Sequence, residues 1–428
     1  MKERNPELLI SNSKGKIYNL PDFAATGMKG GRFFRLKVEE LVKLPPGSEL
    51  FMLPDRAAVG YDFATQSFVT LDSYPVACFV SPGFTVSYNS AYKENKRHSL
   101  LPLFAYAAVA FYRDQFYVTA CRVDWERRQD LRLMNINLVK KNVAGFKKIF
   151  SGNRLIRHLE NCALVYGCPA AKNFFLHRHE APLPTSPACN ARCLGCLSLQ
   201  PKNSCSATQA RIKFVPTPAE VAEVALWHIS NVADPVVSFG QGCEGEPLLN
   251  AALLEKTIRL IRKKTTKGMI NLNTNASRPK SLARLFDAGL DSIRVSLNSA
   301  RAKYYNRYFQ PKGYLFKDVL SSIGIAKRKF RFVSVNYLTM PGFTDLADEF
   351  TAFKNFVETQ HIDMIQWRSL NFDPLCYFRK LKTTLNNSRM LGVREVISTL
   401  KRDFPHVLMG YFNPSRSRIN RHRKRHSR

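Results

Sequence analysis

Three cysteines stand close together near the middle of the chain, at Cys189, Cys193 and Cys196. Cysteine thiolates are the usual protein ligands of iron–sulfur clusters. At this spacing one short loop can hold three irons of a 4Fe–4S cluster and leave the fourth iron open to a ligand. An iron with an open position can do chemistry, so the triplet predicts a catalytic cluster.

A zinc site is the competing interpretation of the triplet. Zinc normally takes four protein ligands in a structural site, and His177 or His179 could supply the fourth. Three incidental cysteines are the other alternative. A second motif further along the chain favours the cluster.

The second motif is a glycine-rich turn at residues 239–247, with the sequence Phe-Gly-Gln-Gly-Cys-Glu-Gly-Glu-Pro. It follows a short apolar strand and begins a helix, about one strand–helix unit after the cysteines. Glycine lets the main chain approach a ligand closely, and proline is favoured at the first helical position. Together the two motifs resemble those of the radical S-adenosylmethionine (SAM) superfamily.

The resemblance implies a 4Fe–4S cluster on the three cysteines and SAM bound at the open iron. An electron from the cluster would cleave SAM to a 5′-deoxyadenosyl radical, which abstracts hydrogen. It further implies that Gly245, Glu246 and Pro247 lie against the methionine part of SAM, with the backbone at Gly245 reaching the SAM amino group. Electrons would come from a reductant such as flavodoxin or ferredoxin.

The resemblance also assigns polar residues on later strands to SAM. Ser296 and Asn298 match the place of contacts with the ribose or carboxylate. Further candidates for SAM or substrate contacts are Asn273, Thr274, Asn336, and Gln366 or Arg368, for each of which a satisfied structural role is the alternative. The sequence departs from the family at Gly195, where an aromatic residue usually covers the adenine, and at Glu244, where a glycine is expected.

Alternating strand and helix patterns run from residue 181 to about residue 375. They predict parallel strand–helix units, and the resemblance implies an α/β fold with a partial (β/α)6 barrel over residues 181–405. The predicted inner face carries Asn, Ser, Gln and Arg instead of the branched apolar residues that fill an ordinary barrel, which indicates a ligand. An antiparallel sheet with one wet face would give the same alternation.

Residues 1–180 predict a smaller, β-rich α+β domain that recognises the substrate. Short apolar runs separated by Pro, Gly and Asp are typical of antiparallel strands. A hairpin is expected around Arg113-Asp114-Gln115, and two helices over about residues 133–150 and 153–166. The longest apolar run, Leu100 to Tyr112, is shorter than the roughly 18–20 residues that span a bilayer, so no membrane partner is expected.

Seven cysteines lie outside the triplet. Buried thiols are the common state of free cysteine, and an auxiliary cluster is the alternative for Cys162, Cys168, Cys205 and Cys243. No signal segment is evident at the start of the chain. We therefore expect the reducing cytoplasm, where disulfides are rare.

The net charge of +32 is the main clue to the substrate. Residues 411–428 hold seven basic residues and no acid, which predicts a disordered basic tail. A strongly basic chain favours RNA or another polyanion as partner, and nonspecific polyanion affinity is the alternative. The oligomeric state cannot be inferred from the sequence.

The sequence thus predicts a radical SAM enzyme that modifies RNA, either tRNA or rRNA. Modification or activation of a peptide or protein is the alternative among enzymes. A non-catalytic zinc or iron–sulfur protein that binds RNA through its charge is the alternative of another class.

The cluster prediction is tested by Cys193→Ala. Reconstituted wild-type protein should bind about four irons and cleave SAM to 5′-deoxyadenosine under strong reductant. The variant should lose both properties, because two thiolates cannot hold the cluster. A colourless, zinc-replete wild-type protein after anaerobic purification would contradict the prediction.

Overall fold

The structure, a computed structural model, describes residues 5–202, 204–383 and 389–426. The first part is a β-rich domain whose strand pairings, among the described residues, are all antiparallel. Its strands are β1 (Glu7–Ser11), β2 (Ile17–Ala24), β3 (Thr26–Lys29), β4 (Arg32–Arg35), β5 (Val42–Lys43), β6 (Glu49–Met52), β7 (Arg56–Asp62), β8 (Ser67–Leu71), β9 (Tyr74–Phe79), β10 (Phe84–Val86), β11 (Asn89–Ser90), β12 (Tyr92–Glu94), β13 (Ala107–Tyr112), β14 (Gln115–Val118) and β15 (Ala120–Arg122). The hairpin expected around residues 113–115 is present as β13 and β14.

Three helices follow, α1 (Ile136–Ile149), α2 (Arg154–Leu164) and α3 (Pro169–Phe175). Asn135 and Asn153 cap the first two through their side-chain oxygens, which accept backbone N–H groups that the helix leaves unpaired. The ring centroids of Phe146 on α1 and of Trp227, which is on the helix at Pro218–Asn231, lie 4.5 Å apart. The three helices therefore pack against the strand–helix layer that follows.

The second part is a curled parallel sheet of seven strands in sequential order. Its strands are β16 (Glu180–Pro182), β17 (Val236–Phe239), β18 (Met269–Thr274), β19 (Ser292–Leu297), β20 (Phe332–Thr339), β21 (Met364–Ser369) and β22 (Leu408–Gly410). The helices are α4 (Pro218–Asn231), α5 (Ala251–Lys264), α6 (Pro279–Ala288), α7 (Ala302–Phe309), α8 (Phe316–Arg328), α9 (Ala347–Thr359), α10 (Pro374–Leu381), α11 (Val393–Asp403) and α12 (Arg416–His426). The predicted partial barrel is confirmed, with a short seventh strand added, and the antiparallel alternative is wrong because all six strand pairings are parallel.

Local sequence signals explain where two of these helices begin and end. Thr217 and Glu220 form a reciprocal capping box at the start of α4, with Pro218 in the first turn. Gly289 ends α6 with φ = 113°, a left-handed conformation that glycine adopts without strain. These signals set the angles at which the chain returns to the sheet.

The β-rich domain sits on the carboxyl ends of β20 and β21. The Thr85 hydroxyl lies 2.9 Å from that of Thr339, and the Val86 N–H donates to the Ser369 hydroxyl at 3.0 Å. A fully buried ion pair of 3.0 Å joins Arg56 of this domain to Asp373. Because the carboxyl ends of parallel strands are where such folds bind ligands, the domain lies over the expected site.

The end of the chain differs from the disordered tail expected over residues 411–428. Residues 416–426 form α12, whose Ile419 is only 5% exposed in a cluster with Val236 and Met269 at the starts of their strands. Arg418 pairs with Glu126 at 2.9 Å. Ile419 and Arg418 thus order the segment through contacts with residues far away in the chain. The amino-acid composition of the segment gives no sign of these contacts. Residues 427 and 428 lie outside the described residues.

None of the described helices is both long enough and apolar enough to cross a membrane.

The docked end of the chain predicts that Ile419→Ala lowers the free energy of unfolding by about 2 to 4 kcal/mol, because it leaves a cavity under the sheet. The matched control is Asn420→Ala, which changes an exposed neighbour on the same helix and should stay within about 0.5 kcal/mol of wild type. Urea unfolding followed by circular dichroism compares the two. Equal stability of both variants would mean that the segment does not contribute to the fold.

Candidate active site

A cavity of about 450 Å³ opens at the carboxyl ends of the barrel strands, beneath the β-rich domain. It gathers most of the residues that the sequence singled out. They are Cys189, Cys193, Cys196, Gly245, Glu246, Asn273, Thr274, Ser296, Asn336 and Arg368. Phe79 and Phe84 of the β-rich domain line the same cavity. Chain segments far apart in sequence therefore form one site.

The cysteine loop is held by backbone hydrogen bonds from the end of α7. The Arg192 N–H donates to the Phe309 carbonyl at 2.9 Å, and the Leu194 N–H donates to the Tyr308 carbonyl at 3.0 Å. Cys189 is a free thiol whose pKa burial raises to about 11. Metal binding must therefore displace its proton, and the three partly exposed thiols face a cavity with room for a multi-atom cluster.

The zinc interpretation of the triplet finds no support in the geometry. Among the described His, Cys, Asp and Glu side chains, only His158, Cys162 and Cys243 form a group of three whose ligand atoms all lie within 4.8 Å of one another. The three sulfur atoms of the triplet are therefore too far apart to bind one ion together. The His177 ring packs on Trp227, with centroids 4.7 Å apart. Neither His177 nor His179 lines the cavity.

Gly245 brings the two motif loops into direct contact. Its N–H donates to the Ser186 carbonyl at 2.6 Å, and the next N–H, of Glu246, donates to the Ala188 carbonyl at 2.9 Å. A Cβ atom at Gly245 would lie 1.9 Å from the Ala188 carbonyl oxygen. Glycine is thus required here because the turn approaches the cysteine loop closely. The sequence predicted a contact of Gly245 with SAM and did not predict this contact between the two loops.

Glu244, which replaces the expected glycine, ties the same loops together. Its carboxylate accepts the N–H groups of Thr185 at 2.7 Å and Ser186 at 2.9 Å, and those of Gly240 at 2.7 Å and Gln241 at 2.8 Å. Burial raises its pKa to about 7, and these hydrogen bonds oppose the rise. The sequence showed that Glu244 departs from the family pattern, but it did not reveal that this side chain joins the two loops.

Glu246 has a similar structural role on the other side of the loop. Its carboxylate accepts the Asn275 N–H at 2.8 Å and the Thr274 hydroxyl at 2.5 Å. Burial raises its pKa to about 7 as well. Pro247 is buried and does not line the cavity. The hydrogen bond between Glu246 and Thr274 thus fixes the positions of both side chains at the cavity wall.

Three other predicted residues are engaged within the protein. The Asn273 side chain donates to the Gly240 carbonyl at 2.9 Å. Asn298 is fully buried, donates to the Tyr377 hydroxyl at 3.2 Å, and does not line the cavity. Gln366 donates to Asn413 at 3.0 Å and also lies outside the lining. The geometry favours the structural alternative for Asn273 and Gln366, whereas the buried Asn298 Oδ1 has no hydrogen-bond partner within the described structure.

Polar atoms without protein partners mark the part of the cavity that a ligand would fill. The buried Asn336 Oδ1, Arg294 Nε and Arg368 Nε accept or donate no hydrogen bond within the described structure. Such atoms are rare in folded proteins. Burial and nearby Arg368 lower the pKa of Arg294 to about 9, so it stays charged at neutral pH. These groups fit a ligand with carboxylate and hydroxyl groups, as SAM has.

Tyr308 and Phe309 explain the departure at Gly195. A Cβ atom at Gly195 would lie 3.0 Å from the Tyr308 hydroxyl and 3.0 Å from the Asn371 carbonyl oxygen, so a larger side chain there would require these neighbours to move. Tyr308 and Phe309 line the cavity themselves. They provide the aromatic surface that the cysteine loop lacks.

The lower lumen is filled by the segment that follows β22, which sequence reasoning missed. The Asn413 amide donates to Glu180 at 2.8 Å and to Asn273 at 3.2 Å. The Arg368 guanidinium lies 3.6 Å from the Tyr411 ring centroid. Part of the polar inner face therefore binds this segment, and no local signal in the sequence indicates that contact. Arg294, also missed, follows the inward alternation of Ser292 and Ser296 and could have been found.

The fold and site define a partial parallel barrel with a three-cysteine loop at the carboxyl ends of its strands. Residues 183–356 match the family model described as the Radical SAM superfamily. These residues, which contain the cysteine loop and most of the barrel, therefore form a radical SAM domain, and enzymes of that superfamily use a 4Fe–4S cluster and SAM as cofactors.

Individual relatives are similar over part of the chain. GTP 3′,8-cyclase of Lactiplantibacillus plantarum is 27% identical over 216 residues, which are 50% of this chain and 58% of that protein. FeMo cofactor biosynthesis protein NifB of Klebsiella pneumoniae is 28% identical over 164 residues, 36% of this chain and 34% of that protein. The chain therefore spans less than two thirds of either relative. The crystal structure of methylornithine synthase is 16% identical with a TM-score of 0.38, covering 63% of this chain and 77% of that chain.

The contact between the two loops predicts that Gly245→Ala displaces the cysteine loop, because even a methyl group overlaps the Ala188 carbonyl. Iron retained after anaerobic desalting should fall several-fold. The matched control is Gly242→Ala in the same turn, where the new methyl group meets the end of the Gln209 side chain at 2.7 Å, which can move away. Equal iron retention in both variants would show that the approach at Gly245 does not position the cluster.

Proposed function

We propose that this radical SAM enzyme modifies RNA, with Cys189, Cys193 and Cys196 as cluster ligands. When bound, the cluster and SAM supply the electron and the carbon radical for hydrogen abstraction. Asn336, Ser296 and Arg368 contact SAM or the reacting nucleotide from the cavity wall. A small electron carrier such as flavodoxin or ferredoxin delivers the electron, and the cytoplasm is the compartment in which the enzyme works.

One observation carries the RNA proposal: a basic cavity of about 510 Å³ lies beside the site. Its lining includes Arg154, Arg157, Arg211 and Lys213 and no carboxylate. Arg154 is paired with Glu220 at 2.8 Å, whereas Arg157 and Lys213 are exposed and available. Lysine and arginine bind phosphate groups through charge and N–H donors. The cavity suits the backbone of a nucleic acid.

Arg211 connects the basic cavity to the cysteine cavity, because it lines both. Its guanidinium lies 3.6 Å from Cys196 Sγ and donates to the Ser198 hydroxyl at 3.2 Å. A strand whose phosphates contact Arg157 and Lys213 would thus have a neighbouring base close to the cysteines. Aromatic rings such as Phe84 and Phe309 in the lining offer faces on which a base can stack.

The proposal agrees with what one relative is named for. GTP 3′,8-cyclase acts, by its name, on a purine nucleotide. A guanosine within RNA presents the same base and sugar, joined to a charged phosphodiester backbone. The net charge of +32 favours the polymer, since each phosphate contact adds affinity by release of a counterion.

The basic cavity is tested with the double variant Arg157→Gln/Lys213→Gln. Loss of two phosphate contacts should weaken binding to tRNA and rRNA fragments, and the slope of log affinity against log salt should become shallower by about 1.4. The matched control is Lys256→Gln/Lys280→Gln, which removes the same charge from exposed positions on α5 and α6. The control should keep the wild-type slope.

Two results would overturn the proposal. If both double variants have the same salt slope, the basic cavity does not bind the phosphate backbone. If wild-type protein does not bind RNA at moderate salt, a peptide or protein becomes the better candidate substrate. Comparison of modified nucleosides in cells with and without the gene then identifies the modified base.

A further inference from the structure

A second group of metal-ligating side chains lies outside the cysteine cavity. His158 and Cys162 are on α2, and Cys243 belongs to the glycine-rich turn after β17. The Nε2 or Nδ1 atom of the histidine and the two Sγ atoms all lie within 4.8 Å of one another. Residues four apart on a helix share one face, so α2 presents its two side chains together toward the turn.

The distances suit a single ion. The Cys162 Sγ lies 3.5 Å from the His158 Nε2. In a tetrahedral zinc site, Zn–S bonds of about 2.3 Å and Zn–N bonds of about 2.0 Å place sulfur and nitrogen roughly 3.6 Å apart. Cys162 is 1% exposed and Cys243 is 5% exposed. The two thiols are thus enclosed, and the imidazole closes the group on the side of the basic cavity.

Cys168 lies near this group but is not part of it, because its sulfur is not within 4.8 Å of all three ligand atoms. It occupies the N-cap position of α3, and its backbone N–H donates to the Cys162 carbonyl at 2.9 Å. Burial, together with the charge of the nearby Cys162, raises the pKa of Cys168. The turn between α2 and α3 therefore returns a third thiol to the neighbourhood of the first two.

We propose that His158, Cys162 and Cys243 bind one zinc ion. Two thiolates and one imidazole fill three positions of a tetrahedral zinc site, and a water molecule from the adjoining basic cavity takes the fourth. The ion replaces thiol protons, which are released to solvent when it binds. No oxidation or reduction is involved.

The position of Cys243 gives the site its consequence. Cys243 directly precedes Glu244, whose carboxylate holds the end of β16 and the glycine-rich turn together. Zinc would attach that turn to α2, a helix outside the barrel sheet. The ion would therefore stabilise the loop that borders the cluster without touching the cluster itself.

Metal content of the full-length protein tests the site. Protein purified anaerobically from zinc-supplemented cells should hold about one zinc per chain beside its iron. The zinc should persist when Cys189, Cys193 and Cys196 are all replaced by alanine, because that variant retains the second site. Zinc-edge X-ray absorption should report two sulfurs and two lighter neighbours, the His158 nitrogen and a water oxygen, at the distances of a tetrahedral site.

Single variants locate the ion. Cys162→Ser and Cys243→Ser should each reduce zinc at least several-fold in the triple-alanine background. Cys121→Ser, which changes a free thiol on β15, is the control and should retain zinc. If a variant fails to fold, titration of the triple-alanine protein with a mercurial thiol reagent takes its place, because zinc release should accompany modification of the remaining thiols.

Three outcomes would overturn the proposal. The triple-alanine protein could be folded by circular dichroism yet hold no zinc. Zinc could be unaffected by Cys162→Ser. The triple-alanine protein could instead keep iron and a visible absorption band, which would make the second site an iron–sulfur centre.

Discussion

The carboxylate of Glu244 is the interaction on which the arrangement of the active site depends. It lies between the ends of two neighbouring parallel strands and accepts two backbone N–H groups from each. A buried carboxylate is costly unless its oxygens are satisfied, and these four N–H groups, with the Thr185 hydroxyl at 3.2 Å, satisfy both oxygens. The cysteine loop leaves from one strand end and the glycine-rich turn from the other, so one side chain sets the separation of the two loops.

Glycine at position 245 completes this arrangement. The carboxylate of Glu244 draws the two loops together, and the missing side chain at Gly245 lets their backbones come into hydrogen-bond contact. A larger residue would push the loops apart at the point where Glu244 holds them. Glu244 stands where the family has a glycine, and its carboxylate fixes the turn in place. The close approach of the two loops then occurs at the next glycine, Gly245.

The size of the cavity in the barrel is set by the segments that close the barrel at its two ends. Asn413 and its neighbours occupy the lower lumen, and the β-rich domain lies across the strand ends above. The buried pair of Arg56 and Asp373 fixes that domain in place, because separating the two would leave an unpaired charge in a dry environment. What is left is a cavity with three arginines in its wall and a basic cavity beside it.

The sequence by itself determined the class of protein, the parallel strand–helix order and the candidate cluster loop. These follow from spacing within short segments: the three cysteines, the glycine-rich turn, and the alternation along strands such as β18 and β19. Local caps such as Thr217 and Gly289 were readable for the same reason, since their hydrogen bonds are made within one turn of helix.

Only the tertiary structure decided which polar residues face the cavity. Asn336 and Asn298 look alike in sequence, and both have a buried side-chain oxygen without a hydrogen-bond partner, but only Asn336 lines the cavity, whereas Asn298 is packed against Tyr377. The basic tail becomes a helix because Ile419 finds an apolar cluster formed by the starts of distant strands. In each case the deciding partner is far away in the chain, and the free energy of a long-range contact leaves no local pattern in the sequence.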